Sequence, residues 1–245
     1  MEDIIQNISH VLQRIDSACK TSNRNREEVK LLLATKSVTP ERIKIAFQNG
    51  HTLIGENKVQ EIREKYQDLK EIPHVMHFIG HLQTNKIKEI LRYDVKCIET
   101  VDRIHLAEKL QHRLAFENRQ MDVFIQVNTS GEESKFGIHP EGAVELVKSV
   151  SGFKNIHIKG LMTIGLFSSE KEKVRKCFQL LKELQIEIKK LEIPGVEMNE
   201  LSMGMSGNLE IAIEEGSTIV RVGTAVFGER KYPDSYYWNE RKEVI

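Results

Sequence analysis

The chain has 245 residues, with 36 Lys+Arg against 36 Asp+Glu, 40% hydrophobic and 29% charged; that length suits one large α/β domain or two small ones. A formal net charge of zero, with both signs scattered throughout, offers no basic face for a nucleic-acid backbone and no polybasic segment for a membrane surface. The acidic start Met1-Glu2-Asp3, and the lack of any apolar run near the roughly 20 residues of a membrane span, set the expectation of a soluble cytoplasmic protein that binds neither nucleic acid nor membrane.

Ile5, Ile8, Leu12, Ile15 and Cys19 stand at helical spacing, which predicts an opening amphipathic helix over residues 4–19. The run from Lys30 to Lys36, with Leu31, Leu32, Leu33 and Ala34 inside it, predicts a buried strand. Thr39 as N-cap and Pro40 in the first turn start a helix with Ile43, Ala46 and Phe47 on one face, which Gly50 closes. Further strands are expected near Thr52, Val75, Lys96, Val123, His157, Glu200 and Thr218, each separated from the next by a helical or polar stretch. Val59, Ile62, Tyr66 and Leu69 form one helical stripe, and Val174, Cys177, Leu181, Leu184, Ile188 and Leu191 another, before Pro194-Gly195. Near-continuous apolar runs mark parallel strands covered on both faces.

Eight such βα units over about 215 residues predict a closed (β/α)8 TIM barrel, whose usual size is roughly 250 residues. The barrel is expected over about residues 30–230 of a single domain spanning 1–245, with an extra helix before it and an aromatic tail, 231–245, that carries Tyr232, Tyr236, Tyr237 and Trp238. An open doubly wound sheet is the other arrangement this pattern allows. Cys19, Cys97 and Cys177 are odd in number and form no CxxC pair, so they are expected as small core residues.

In a barrel of this type the active site lies at the C-terminal ends of the strands. Here those ends are unusually polar: Lys36, Gly55-Glu56-Asn57, Gly80 with Gln83 and Asn85, Asn128, Ser202 to Asn208, and Arg221 to Thr224. Ser206-Gly207-Asn208 and Gly223-Thr224 each precede a short helical run. A helix start has unpaired N–H groups and a partial positive charge, and glycine lets backbone approach an anion, so both suit a phosphate; ordinary capping accounts for the same residues. Arg221 shares a strand face with Ile219 and Gly223 inside a run that looks buried, so it needs an acceptor, either a carboxylate such as Glu200 or Glu56 or a ligand. Lys36 ends the first strand, which a closed barrel pairs with the eighth, and it would then lie beside Arg221 and the phosphate cradle. A neighbouring guanidinium and partial burial both lower the pKa of an amine, as a Schiff-base lysine requires. Lysine, phosphate cradle and an arginine able to face a ring nitrogen form a constellation suited to pyridoxal 5′-phosphate, PLP.

Lys135, in a loop able to fold over the mouth, is a secondary candidate for touching cofactor or ligand, whereas Lys58 is expected to point outward and Lys86 lies well past its strand. His74, His77 and His81 sit at spacings of three and four, but on a strand and its following loop that spacing does not converge on a metal, and no acidic ligand completes the set.

The motifs LLLATKS at 31–37, GENKVQE at 55–61, HFIGHLQTNK at 77–86, SKFGI at 134–138, KGLMTI at 159–164, SMGMS at 202–206 and VRVGTAVFG at 220–228 together resemble the pyridoxal phosphate homeostasis proteins. Their fold is similar to the barrel domain of bacterial alanine racemase. The resemblance implies the cofactor lysine at Lys36, phosphate contacts at Ser206, Gly207, Gly223 and Thr224, Arg221 near the pyridine nitrogen, and Asn57 and Met203 near the ring. One departure is Asn208, where the family commonly shows an acidic residue; asparagine still suits a helix cap. An arginine opposite the pyridine nitrogen cannot give up a proton, so the ring is a poor electron sink. The resemblance thus implies a protein that binds and buffers PLP in intracellular homeostasis, without established turnover; apo PLP-dependent enzymes are its candidate partners, and without the racemase β-domain a monomer is the expected state. The runner-up is a PLP-dependent amino acid racemase similar to alanine racemase. Its second base would be a tyrosine from a partner subunit's extra β-domain, for which the length leaves no room; Tyr232, Tyr236 and Tyr237 are the candidate substitutes, in a tail expected to be packed or poorly ordered and not to reach the site. A Schiff-base aldolase, using the cradle for a substrate phosphate, is a third reading.

Overall fold

The computed structural model describes residues 2–229, so the aromatic tail with Tyr232, Tyr236, Tyr237 and Trp238 lies outside the described residues. The chain begins with α1 (Glu2–Thr21), β1 (Lys30–Ala34), α2 (Pro40–Gln48), β2 (Leu53–Glu56), α3 (Val59–Leu69) and β3 (Val75–Phe78). It continues through the short α4 (Ile87–Ile90), β4 (Val95–Val101), α5 (Ile104–Phe116), β5 (Met121–Gln126), α6 (Ala143–Ser151) and β6 (Ile156–Met162). It ends with α7 (Lys171–Lys190), β7 (Val196–Met205), α8 (Leu209–Glu214), β8 (Ile219–Val222) and α9 (Thr224–Phe227). The strands pair in parallel in sequence order, and β8 closes onto β1 from Lys30↔Ile219 to Leu33↔Val222, which makes the TIM barrel. No helix among the described residues is long and apolar enough to cross a membrane.

Alternation along the strands builds two apolar layers. Leu33, Ile54, Ile98, Val123, Leu161 and Val222 face outward and pack with helix residues such as Ile43, Ile62, Leu110 and Phe178. Leu32, Cys97, Phe124, Met162 and Ile219 face inward and fill the lumen. Each large apolar side chain removed from water in this way contributes roughly 1.5–3 kcal/mol. Cys19 and Cys177 are buried as well, on α1 and α7.

Local signals set the boundaries. Thr39 occupies the N-cap of α2 with Pro40 in its first turn, and Gly50 takes φ +82°, left-handed backbone that glycine adopts without a Cβ clash. Two details depart from the sequence expectation. The buried face of α1 is Ile4, Ile8, Val11, Ile15, Ala18 and Cys19, whereas Ile5 is 42% exposed; the helix is rotated because it packs on α2, α8 and α9 together. β7 begins at Val196, ahead of Glu200, because Val196 already pairs with Ile158.

Candidate functional site

The backbone around Lys36 is pinned on both sides. β1 ends at Ala34, two residues before Lys36. Thr35 is fully buried; its Oγ1 donates to Glu56 Oε1 (2.7 Å) and its carbonyl accepts from Lys65 Nζ (2.8 Å). Ser37 takes φ +59° and its N–H donates to Glu61 Oε2 (2.5 Å). Lys65, 7% exposed, also donates to Glu56 Oε1 and Glu61 Oε2, both at 2.8 Å. Burial alone would push the Lys65 ammonium down, yet the two carboxylates hold it above the usual range. Burial pushes the Glu56 carboxyl up against the pull of Lys65. Glu56 therefore faces α3 and is not the acceptor for Arg221, because strand alternation turns it away from the lumen.

The loops after β7 and β8 meet each other and the end of β1. The Ala225 N–H donates to Ser206 Oγ (3.3 Å). A Cβ on Gly223 would stand 3.1 Å from the Ala34 carbonyl, so this loop packs directly on the chain leading to Lys36. Gly207 borders open space, and Thr224 is exposed at the start of α9. Asn208 occupies the N-cap position of α8, but its Oδ1 accepts from the Met205 N–H (2.7 Å) and makes no side-chain cap bond. Helix α1 braces both loops: Arg14 donates to the Ser206 carbonyl (2.9 Å) and to both Glu210 oxygens (2.6 and 2.9 Å), and Asn7 donates to the Val226 carbonyl (3.0 Å). Met203 stands apart from these residues, fully buried in the apolar layer between sheet and helices.

Arg221 lies in the lumen, 5% exposed, in register with Leu32 and Met205. Its partners are neither Glu200 nor Glu56. Nη1 donates to Ser202 Oγ (2.6 Å) and Nη2 to the Thr163 carbonyl (2.7 Å). Ser202 passes its own hydrogen to Glu99 Oε2 (2.5 Å), and His77 Nδ1 meets Glu99 Oε1 (2.6 Å). Burial pushes the Glu99 carboxyl up, but the His77 hydrogen bond and the His77 and Arg221 charges bring it below the usual range. Burial lowers the Arg221 pKa, and Glu99 opposes that shift. Glu200 instead accepts from Lys30 Nζ (2.6 Å) and Thr218 Oγ1 (2.6 Å) at the N-terminal end of the strands. Sequence reasoning missed Glu99 and gave Ser202 no role beyond the polar end of its strand; the rule that singles out Arg221, a charge inside a buried run, also applies to Glu99 in its strand.

Asn57 Oδ1 and Gln126 Oε1 are among the buried acceptors that meet no donor among the described residues. Burying such an atom without a partner is costly, so each suits a bound polar group. Gly80 lets the end of β3 lie against Asn57, since a Cβ there would stand 1.9 Å from the Asn57 carbonyl. The Lys135 loop is ordered by Asn128, whose Nδ2 donates to the Glu132 carbonyl (2.9 Å), and Phe136 stacks on His81 at 3.8 Å. Lys135 pairs with Glu132 and donates to the Gly165 carbonyl (2.7 Å). The three histidines have separate partners: His74 the Ile72 carbonyl, His77 Glu99, and His81 Phe136.

Comparison with known proteins places the fold and the family of this chain. The alanine racemase N-terminal domain family matches residues 6–231. A pyridoxal phosphate homeostasis protein of Aquifex aeolicus is 44% identical over 227 residues, covering 93% of this chain and 98% of that one. A solved structure of an unknown protein from Bifidobacterium adolescentis superposes with TM-score 0.87 at 38% identity, covering 92% of this chain and 95% of the other. PipY of Synechococcus elongatus, solved with PLP bound, gives TM-score 0.78 at 28% identity over 89% of this chain and 100% of that one. With eight parallel strands closed into this barrel and relatives of that similarity over nearly their full length, the chain belongs to the pyridoxal phosphate homeostasis protein family.

Proposed function

We propose that this chain holds PLP at the C-terminal end of its barrel, as a Schiff base on Lys36, and serves intracellular PLP homeostasis. The observation that carries this reading is convergence. Gly223 packs on the Ala34 carbonyl just before Lys36, the Ala225 N–H is bonded to Ser206, and Arg221 lies in register with both neighbouring strands. The PLP-bound relative PipY supports the same cofactor. When bound, PLP supplies an aldehyde for reversible condensation with an amine.

On the protein side, Ser206, Gly207, Gly223 and Thr224 hold the phosphate through N–H and hydroxyl groups, as helix starts do. Arg221 faces the ring nitrogen and, as a permanent cation, gives it no proton. Asn57 presents its buried side-chain amide beside the ring, where its Oδ1, without a donor among the described residues, is open to a hydrogen from the bound group. Met203, turned to the outer layer, acts through the β7 backbone that it anchors. These roles bind and release a cofactor. We place the protein in the cytoplasm as a monomer that supplies PLP to apo-enzymes.

The test is direct. Purified protein turns yellow with PLP, borohydride fixes the pyridoxyl group on Lys36 by mass spectrometry, and Lys36→Ala retains no fixed label. A colourless protein, or a label fixed only on Lys135, overturns the reading. Interconversion of alanine enantiomers faster than by free PLP assigns racemase activity instead.

A further inference from the structure

Four side chains form one continuous chain of hydrogen bonds across the barrel lumen. His77 Nδ1 meets Glu99 Oε1 at 2.6 Å, Glu99 Oε2 accepts from Ser202 Oγ at 2.5 Å, and Ser202 Oγ accepts from Arg221 Nη1 at 2.6 Å. The direction of the chain is fixed by its members. An ionised carboxylate only accepts and an arginine only donates, so Ser202 must turn its hydrogen to Glu99, and His77 must carry its own on Nδ1. Glu99 is thus the counter-charge of Arg221, reached through one hydroxyl. Glu99 and Ser202 are fully buried, so water does not replace a lost partner.

The far end of this chain lies away from the C-terminal rim. His77 lines a cavity of about 510 Å³ at the N-terminal end of the barrel, together with Lys30, Cys97, Phe124, Lys159 and Ile219. A structural core needs no such arrangement, since an apolar residue at each position would fill the lumen without a buried charge. What the chain accomplishes is to fix the guanidinium. Two of the five Arg221 donors are committed, to Ser202 and to the Thr163 carbonyl, and these two bonds set the plane in which the remaining donors lie.

We propose that His77, Glu99 and Ser202 are positioning residues that hold Arg221 for the ring nitrogen of PLP from the opposite side of the barrel. The proposal rests on the PLP reading above. His77 is the one to alter, because asparagine places an N–H close to where histidine carries Nδ1, whereas leucine fills the space with no donor.

The experiment compares wild type, His77→Asn, His77→Leu and Ser202→Ala. It reads PLP affinity and the absorbance maximum of the bound form, together with ¹⁵N resonances of arginine side chains in the PLP-free protein. A hydrogen bond to a charged group is worth enough to predict about tenfold weaker PLP binding for His77→Leu and Ser202→Ala. Both variants also shift the absorbance maximum and displace the Arg221 resonances, while His77→Asn stays within about threefold of wild type on the same scale. Wild-type affinity and unmoved Arg221 resonances in His77→Leu and Ser202→Ala overturn the proposal. So does His77→Asn failing as badly as His77→Leu, since the donor would then not be what matters. If wild type itself takes up no PLP, the cofactor reading fails; the relay is then decided on the Arg221 resonances alone, supported if His77→Leu moves them and overturned if it does not.

Discussion

A buried ammonium is tolerated where acceptors surround it, and Lys65 meets Glu56 Oε1, Glu61 Oε2 and the Thr35 carbonyl, each at 2.8 Å. Through these contacts a residue of α3 fixes the chain immediately before Lys36, while Glu61 fixes the N–H immediately after it. Lys36 is therefore presented from a backbone with little freedom, which reduces the entropy lost when its side chain is engaged. Lys65→Met removes the only cation bonded to the buried Glu56 carboxylate among the described residues, and breaking a buried pair from one side costs about 3–5 kcal/mol. Urea unfolding should show that loss; a decrease below about 1 kcal/mol, the range of an exposed pair, would mean that Lys65 is not the anchor of this turn. Lys65 was not singled out from sequence because a lysine on a predominantly polar helix resembles any solvated lysine. Only the neighbouring strand, which brings Glu56 to its head group, distinguishes it.

At the scale of elements, the eight strands were legible because parallel strands buried on both faces leave continuous apolar runs, and Leu31 to Ala34 or Val123 to Ile125 contain nothing else. The orientation of α1 was not. Ile4-Ile5 and Val11-Leu12 are adjacent apolar pairs, so helical spacing alone does not choose between two faces about 100° apart; packing against α8 and α9 chooses. The same packing gives α1 its relevance to the site, since Arg14 bonds both the Ser206 carbonyl and Glu210. Partial burial pushes the Glu210 carboxyl up, but Arg14 holds it below the usual range. With Arg14 and Glu210 33% and 39% exposed, solvent screening limits the pair to about 1 kcal/mol of stability. Arg14→Ala should accordingly leave the melting temperature nearly unchanged, yet weaken PLP binding several-fold because the Ser206 loop loses its brace. Titration of PLP into the variant checks this, and unchanged affinity would show that the loop holds its shape without α1.

Across the whole molecule, the lumen is stratified: Leu32, Cys97, Phe124, Met162 and Ile219 form an apolar layer, and Glu99, Ser202 and Arg221 a charged one. Barrel interiors are ordinarily packed by branched apolar residues in layers, so the charged layer makes the stability of the barrel depend on pH. No local signal reveals the pairing, because Ser202 and Glu99 are 103 residues apart in sequence and meet only through the stagger of a closed sheet. Glu99 titrates below the ordinary glutamate value when folded, whereas in the unfolded chain it titrates near about 4.3. In acid the unfolded chain therefore binds the proton more readily, so the stabilisation from Glu99 is present above the unfolded value and is lost as pH falls through the folded one. Glu56, raised by burial, runs the other way and blunts the total acid response, so the wild-type curve alone does not isolate Glu99. Glu99→Gln does: it leaves Arg221 buried without its counter-charge, at a cost of about 3 kcal/mol near neutral pH. Protonating Glu99 in the wild type produces nearly the same state. The gap in urea midpoint between wild type and Glu99→Gln should be widest near neutral pH and should close as pH falls below the unfolded value of about 4.3 and through the lower folded one; a gap that widens in acid would show that Glu99 does not carry the charge that neutralises Arg221.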